Sequence, residues 1–318
     1  MTDNYSWRSL STPINRNSTE DALRLSKSDY NVVLNPIYVW DQFQSKYVEV
    51  EDRFCTGRQI TDALADSGMR QENWEVVKDR YVIVPNSDIM ERANSIVGAF
   101  NGAARLDSCG NLDDGRKFFV AIFTGTLEII GSGDKDMVDT YVIAMTSHDG
   151  SVPVCYYNLD VRRRNNSVYR FADESADFCI RKRHTPNHAD RDSEVTEVLT
   201  MRQAWSTSFK ATLQKLLSPV SEFQFESVLH SQWNPNTASS KNKREHAENV
   251  IDTINSLYRS DYNFGMFGHS KWAAFNAICE YIDFHRDIPS LEAAQHSLEI
   301  DNFSHRLKVS LYNQLCSV

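Results

Sequence analysis

The chain has 318 residues, 41% of them hydrophobic and 24% charged, the balance of a soluble globular protein long enough to bury a core of its own. A net charge of −9 excludes a protein that coats duplex nucleic acid over its whole surface, while leaving room for a local basic groove. Six scattered cysteines without a Cys-x-x-Cys pair argue against a zinc knuckle or a redox couple; with no secretory leader and no bilayer-length apolar run, reduced thiols, a cytoplasmic location and no membrane contact are expected.

Residues 1–20 are rich in Ser, Thr and Asn and read as an arm anchored by Trp7, Leu10 and Ile14, packing on its own domain or on a neighbouring subunit. Ser18 or Thr19 caps a short helix through Leu25, with Glu20 and Asp21 in its first turn. Asn31–Leu34 and Tyr38–Tyr47 read as extended, Ser45–Val50 alternates as a strand, and Arg58–Gly68 suggests a short helix. Tyr81–Val84 is apolar and β-branched, stopped by Pro85-Asn86. Asp88 then begins a helix with Ile89, Ala93, Ile96, Val97 and Phe100 on one face. The clearest β signal follows: Lys117–Ile130, Met137–Met145 and Val152–Val161, broken by Gly131–Asp134 and by the turn Ser147-His148-Asp149-Gly150, predict an antiparallel meander. From Asp192 the period becomes helical, with Val195, Val198, Met201, Trp205, Phe209, Leu213 and Leu216 on one face up to Pro219. Phe223–Leu229 is short structure, Trp233–Arg244 a polar basic loop, Glu245–Tyr258 a helix, Ser270 the cap of a helix through Arg286, and Leu291–Cys316 mostly helical.

The residues from Val161 to His184 carry seven Lys/Arg against Asp173, Glu174 and Asp177, a net +4 that leaves −13 on the rest of the chain. Here Tyr156, Tyr157, Tyr169 and Phe171 interleave with Arg162, Arg163, Arg164 and Arg170, and Lys182 and Arg183 follow. Cations that track phosphates beside aromatics that stack on bases are the needs of a single-stranded nucleic-acid site. A solvated hairpin balanced by its own acids accounts for the same pattern. His148, Asp149, His184, His188, Asp190 and Asp192 carry ligands a metal or phosphoesterase site would use, but Pro186 breaks the His184/His188 helical spacing. A turn at His148-Asp149 and side-chain hydrogen bonds around His184 are the simpler reading. Trp272, Asn276, Glu280 and Asp283 share one helix face and suit a structural contact, to a backbone segment or a second subunit, better than an acid–base pair. Neither a GxxxxGK[ST] nor a GxGxxG loop nor a GxSxG elbow occurs, which disfavours a nucleotide motor, a dinucleotide enzyme and that hydrolase class; no cofactor, bound metal or catalytic residue is assigned.

Six segments in order resemble one family of phage- and plasmid-borne proteins, that of domain of unknown function 932: Ser6–Leu10 with Thr12-Pro13, Asp21–Leu23 with Pro36–Val39, Asp79–Asn86, Thr146–Gly150, Arg183–Thr185, and Trp272–Ala277 with Glu280–Asp283. The His and Gly usual near the family's start are Arg8 and Ser11 here. The resemblance implies a mobile-element protein and names no reaction; if phage-encoded, its cytoplasm is the host's.

The expected fold is α+β. An arm (1–20) precedes a core (21–218), whose antiparallel sheet spans about 45 to 162 and packs with the long helix, and a helical C-terminal region (219–318) follows. The leading expectation is a non-enzymatic, oligomeric protein that binds single-stranded nucleic acid, as an annealing protein does. The second is a host-takeover or anti-defence factor that binds a host protein through its acidic bulk, and the third a metal-dependent nuclease.

Overall fold

The computed structural model describes residues 11–14, 18–61, 69–130, 135–169, 179–185, 191–286 and 303–318. In chain order these form β1 (Thr12–Pro13), α1 (Thr19–Leu25), β2 (Val32–Asp41), β3 (Lys46–Thr61), β4 (Met69–Lys78), α2 (Asn86–Ala99), β5 (Arg105–Leu112), β6 (Lys117–Ile130), β7 (Lys135–Ser147), β8 (Val154–Arg162), β9 (Val168–Tyr169), β10 (Cys179–Lys182), α3 (Arg191–Leu216), α4 (Glu222–Gln232), α5 (Lys241–Tyr258), α6 (Phe264–Phe267), α7 (Lys271–Glu280) and α8 (Phe303–Ser317). The fold is α+β, with antiparallel sheets and a helical C-terminal half.

The expected meander is the centre of a seven-stranded sheet, ordered β1-β5-β6-β7-β8-β10 with β9 also on β8. Strand alternation gives it two apolar faces. Phe118, Val120, Ile122, Val142, Ala144, Val154 and Tyr156 pack against α1, α2 and the first half of α3. Phe119, Ala121, Tyr141, Ile143, Met145, Cys155, Tyr157, Leu159 and Val161 make the opposite cluster. A bulge between Phe123 and Gly125 shifts the alternation by one residue. Gly125 lies at φ +143°, a region that favours glycine. Beyond the bulge Leu127 and Ile129, with Val138 and Tyr169, turn to the helix side and join the core built by the rest of α3, α4, α5, α7 and α8.

Residues 32–78 do not extend this sheet. They form a separate three-stranded sheet, β2-β3-β4, which corrects the single sheet expected from about residue 45. The helix expected at Arg58–Gly68 is also corrected: Arg58–Thr61 continue β3, and 62–68 lie outside the described residues. Gly57 lets β3 close on β4, since a Cβ there would stand 2.1 Å from the Glu72 carbonyl oxygen. Tyr81–Val84 is not a strand; Val82 N–H donates to the His184 carbonyl at 3.1 Å. In the helical half, α5 begins at Lys241 inside the expected loop because the Ser240 side chain caps it. Ser270 caps α7 as expected, and that helix runs into a π turn at Tyr281–His285.

One buried ion pair joins sheet to helices. Arg162, fully buried at the end of β8, donates from Nε to Asp136 Oδ2 at 2.7 Å, from Nη1 to Asn263 Oδ1 at 2.8 Å and from Nη2 to the Tyr262 carbonyl at 2.8 Å. Asp136, also fully buried, accepts from its neighbour Met137 N–H and from Trp272 Nε1 at 3.4 Å. Asn263 in turn donates to the Leu257 carbonyl at the end of α5. Removing one partner strands the other charge in the core, whereas an apolar pair of similar volume removes both desolvation penalties. Arg162→Ala is therefore expected to lower unfolding free energy by roughly 3–5 kcal/mol. The double variant Arg162→Met/Asp136→Leu should lose less than the single one, and urea denaturation of the three proteins measures the difference.

Candidate functional site

The basic strand does not face solvent as expected. Tyr156 and Tyr157 are buried in opposite faces of the sheet, and Arg162 is spent on the ion pair above. These three side chains are corrected from phosphate-binding and stacking candidates to core residues. The physical reason is that β8 is a central strand covered on both faces, so each alternate residue points into packing. Arg163 remains half-exposed but pairs with Asp139 at 2.8 Å and donates to Thr126 Oγ1. Arg164 is exposed, its guanidinium 5.8 Å from the Tyr262 ring centroid. Lys182 pairs with Glu197 at 2.6 Å, and Arg183 is exposed. Arg170, Phe171 and Trp7 lie outside the described residues, as do His188 and Asp190.

Along β8, Tyr156, Asn158, Asp160 and Arg162 form a buried polar row on the helix side, a pattern visible as polar residues at alternate positions of an apolar strand. Tyr156 Oη donates to Glu194, which also holds the buried Arg92 on α2. Among the described residues, neither amide atom of Asn158 and neither oxygen of Asp160 has a hydrogen-bond partner. On α3, Nη1 of Arg202 and Nε1 of Trp205 are likewise unpaired. Burial pushes the Asp160 carboxyl well above the carboxylate range, with Arg202 and Trp205 opposing that shift.

His148 lies against Trp74 of β4, close enough to His184 for the two imidazoles to influence one another electrostatically. Asn86 donates to the Ser28 carbonyl at 2.9 Å, so its Oδ1 accepts from His148 Nε2 at 2.8 Å. That assigns the proton to Nε2 and leaves Nδ1 as an acceptor, which has no partner among the described residues. The His148 ring stacks on Trp74 and meets Tyr30 edge-on, and Arg58, paired with Glu72, lies over both aromatic rings. His184 stacks on Tyr81, faces the Val82 carbonyl from Nδ1 at 3.1 Å and Thr146 Oγ1 from Nε2 at 3.4 Å. Asp149 accepts from the backbone and hydroxyl of Ser151 in the turn that Gly150 completes at φ +76°. Burial and then the neighbouring His184 lower the His148 pKa from 6.5 to about 4, with Asp149 opposing, so its imidazole is neutral at pH 7. Among the described residues, no group of three or more His, Cys, Asp and Glu is placed to hold a metal ion.

The α7 face is drawn together by the β8–β9 hairpin of the same chain. Tyr169 Oη donates to Asn276 Oδ1, and Asn276 donates back to the Trp272 carbonyl. Glu280 accepts from Asn165 at 2.8 Å; Asp283 accepts from Val168 N–H at 2.9 Å and from Lys308 on α8 at 2.5 Å.

The surface that sequence reasoning missed lies at the far end of the small sheet. β4 pairs only with Arg53–Thr61 of β3, so β2 and β3 continue past it as a two-stranded ribbon through the turn Gln42–Ser45. On that ribbon Tyr38 is 54% exposed, Trp40 54%, Tyr47 70%, and Phe43 at the tip fully so. Trp40 is paired across the strands with Tyr47, rings 5.2 Å apart at 72°, and Tyr38 with Glu49, so the four side chains share one face. Asp41 Oδ1 accepts from Phe43 and Gln44 N–H and fixes the tip. The extended reading of 38–47 holds for 38–41 and 46–47 but missed the turn Gln42–Ser45 between them, and exposure was not legible, because aromatic alternation is also what a buried strand shows.

A family model described as a domain of unknown function (DUF932) matches residues 73–308, well over half of the chain. The span contains the histidine pair, the polar row of β8 and the α7 face; the ribbon precedes it. No curated protein and no solved structure matches the chain. No helix among the described residues is long and apolar enough to cross a membrane.

The buried histidine makes stability pH-dependent. Because its folded pKa is lowered from 6.5 to about 4, the unfolded chain takes up this proton first as the pH falls. The contribution of His148 is intact above pH 6.5 and is lost between pH 6.5 and 4, to a total of about 3 kcal/mol. Urea titrations from pH 7 to 4 should show that increment in the native protein and its absence in His148→Gln; identical slopes would refute it.

Proposed function

The chain belongs to the family of domain of unknown function DUF932, and from that premise, which carries no reaction, we propose that it is a non-catalytic binding protein whose ribbon docks on another protein. The carrying observation is the ribbon itself: three exposed aromatics on two strands that extend beyond the sheet supporting them, with a fourth, Phe43, at their turn. A two-stranded ribbon gains little stability of its own, and beyond the cross-strand Trp40–Tyr47 pair its exposed aromatics gain most when they are covered. Charge selects the class of partner. Residues 38–53 carry Asp41, Glu49, Glu51 and Asp52 against Lys46 and Arg53, an acidic surface on an acidic chain. That repels phosphate and a second acidic copy, and favours a protein with a basic, partly apolar surface. This is the class expected of a factor that binds a host protein. The single-stranded nucleic-acid reading has lost its stacking tyrosines and one of its arginines to the core. Its remaining cations among the described residues are Arg163, Arg164, Lys182 and Arg183.

Placing a benzophenone amino acid at position 43 and irradiating a cell lysate tests the reading. A discrete, nuclease-resistant protein adduct is expected, absent from Trp40→Ser/Tyr47→Ser, whose changes touch exposed side chains and should leave the thermal midpoint near that of the parent. A nuclease-sensitive adduct, an adduct to this same chain alone, or an unchanged adduct in the serine variant would overturn it.

A further inference from the structure

Resting on that docking surface, we infer that the corner formed by Trp40, Tyr47 and Glu49 receives an arginine side chain of the partner. Four observations converge on it. Trp40 and Tyr47 stand nearly perpendicular, at 72° with ring centroids 5.2 Å apart, so a cation in the corner meets one ring by its face while it touches the other. Both rings are more than half exposed, so the corner is reachable. Glu49 lies on the same face, its carboxylate held by Tyr38 Oη at 3.4 Å, and supplies the counter-charge.

The fourth observation is a contrast within the molecule. Elsewhere the chain covers aromatic rings with its own arginines: Arg58 lies over Tyr30 and Trp74, Arg105 over Phe123, Arg202 over Trp205, Arg164 over the exposed Tyr262 and Arg286 over the exposed Phe303. Among the described residues, no arginine of this chain lies over Tyr38, Trp40, Phe43 or Tyr47. Among the described residues the ribbon's rings thus lack the cation that the exposed Tyr262 and Phe303 have, as do the exposed Phe223 and Phe264. Lys46 is not a substitute, because it pairs in register with Asp41 and so lies on the opposite face from Trp40 and Tyr47. Arginine is favoured over lysine because its planar guanidinium stacks on an aromatic face while its edge bonds a carboxylate.

The test uses the whole chain with its tryptophan indoles labelled by 15N, the Trp40 Nε1 resonance being assigned by its loss in Trp40→Phe. N-acetyl-arginine amide is the probe and N-acetyl-citrulline amide its neutral isostere. Arginine amide is expected to shift the Trp40 resonance saturably, citrulline amide not, and Glu49→Gln to weaken the response about five-fold. Equal shifts with both probes, or no shift of Trp40, would overturn the inference. The benzophenone adduct separates the two levels. If it forms and Trp40 ignores arginine, the corner assignment fails and the docking surface stands; if no adduct forms at all, the docking reading itself fails.

Discussion

Two fully buried charges, Arg162 and Asp136, hold the architecture together. A guanidinium with no access to water must have its N–H groups met by the protein, and the acceptors it finds come from two places, the adjacent strand β7 and the connector at Tyr262 and Asn263, whose Asn263 amide in turn donates to the end of α5. Apolar packing between a sheet and a layer of helices is non-directional and tolerates sliding. A charge that must be matched in distance and angle does not. The pair therefore fixes how the helical half sits on β7 and β8, and the nearby contacts of Asn276, Glu280, Asp283 and Lys308 with the β8–β9 hairpin repeat the same constraint one turn further along.

The same logic runs through the segments by which the chain resembles its family. His148, His184, Trp272 and Asn276 are all buried, and each engages a polar atom of another element. Their imidazole, amide and indole groups here make hydrogen bonds between elements. The Asn158–Asp160 pair is different: among the described residues its side-chain polar atoms have no close hydrogen-bond partner, and Arg202 and Trp205 are the groups that act on the Asp160 carboxyl. A buried polar group left without a partner costs about 1–3 kcal/mol.

The ribbon inverts this pattern. The core hides its polar groups and the ribbon displays its apolar ones. Asp41 ties down the tip through two backbone N–H groups and Trp40 braces Tyr47, so the display is ordered before anything covers it. Such order reduces the entropy lost on binding, which is why a small rigid aromatic surface can serve as a docking arm.

The sequence pattern determined the α+β class, the β6–β7–β8 meander, the long α3 and the cap at Ser270, and narrowed the α1 cap to Ser18 or Thr19, of which the structure uses Ser18, because these depend on alternation, helical spacing and local hydrogen bonds. It could not separate the two sheets: a strand's sequence records that it is extended, and the choice of neighbour is made at long range. Nor could it decide the fate of Arg162-Arg163-Arg164. Three adjacent arginines are identical as letters; the first became the buried anchor and the next two surface side chains only because β8 ends between them, with helices over its last inward position. Exposure of Trp40 and Phe43 was settled the same way, by what tertiary structure places over a side chain and not by its type. Residue type fixes which interactions are available, and tertiary structure decides which are used, because burial is a property of what lies opposite a side chain and not of the side chain itself.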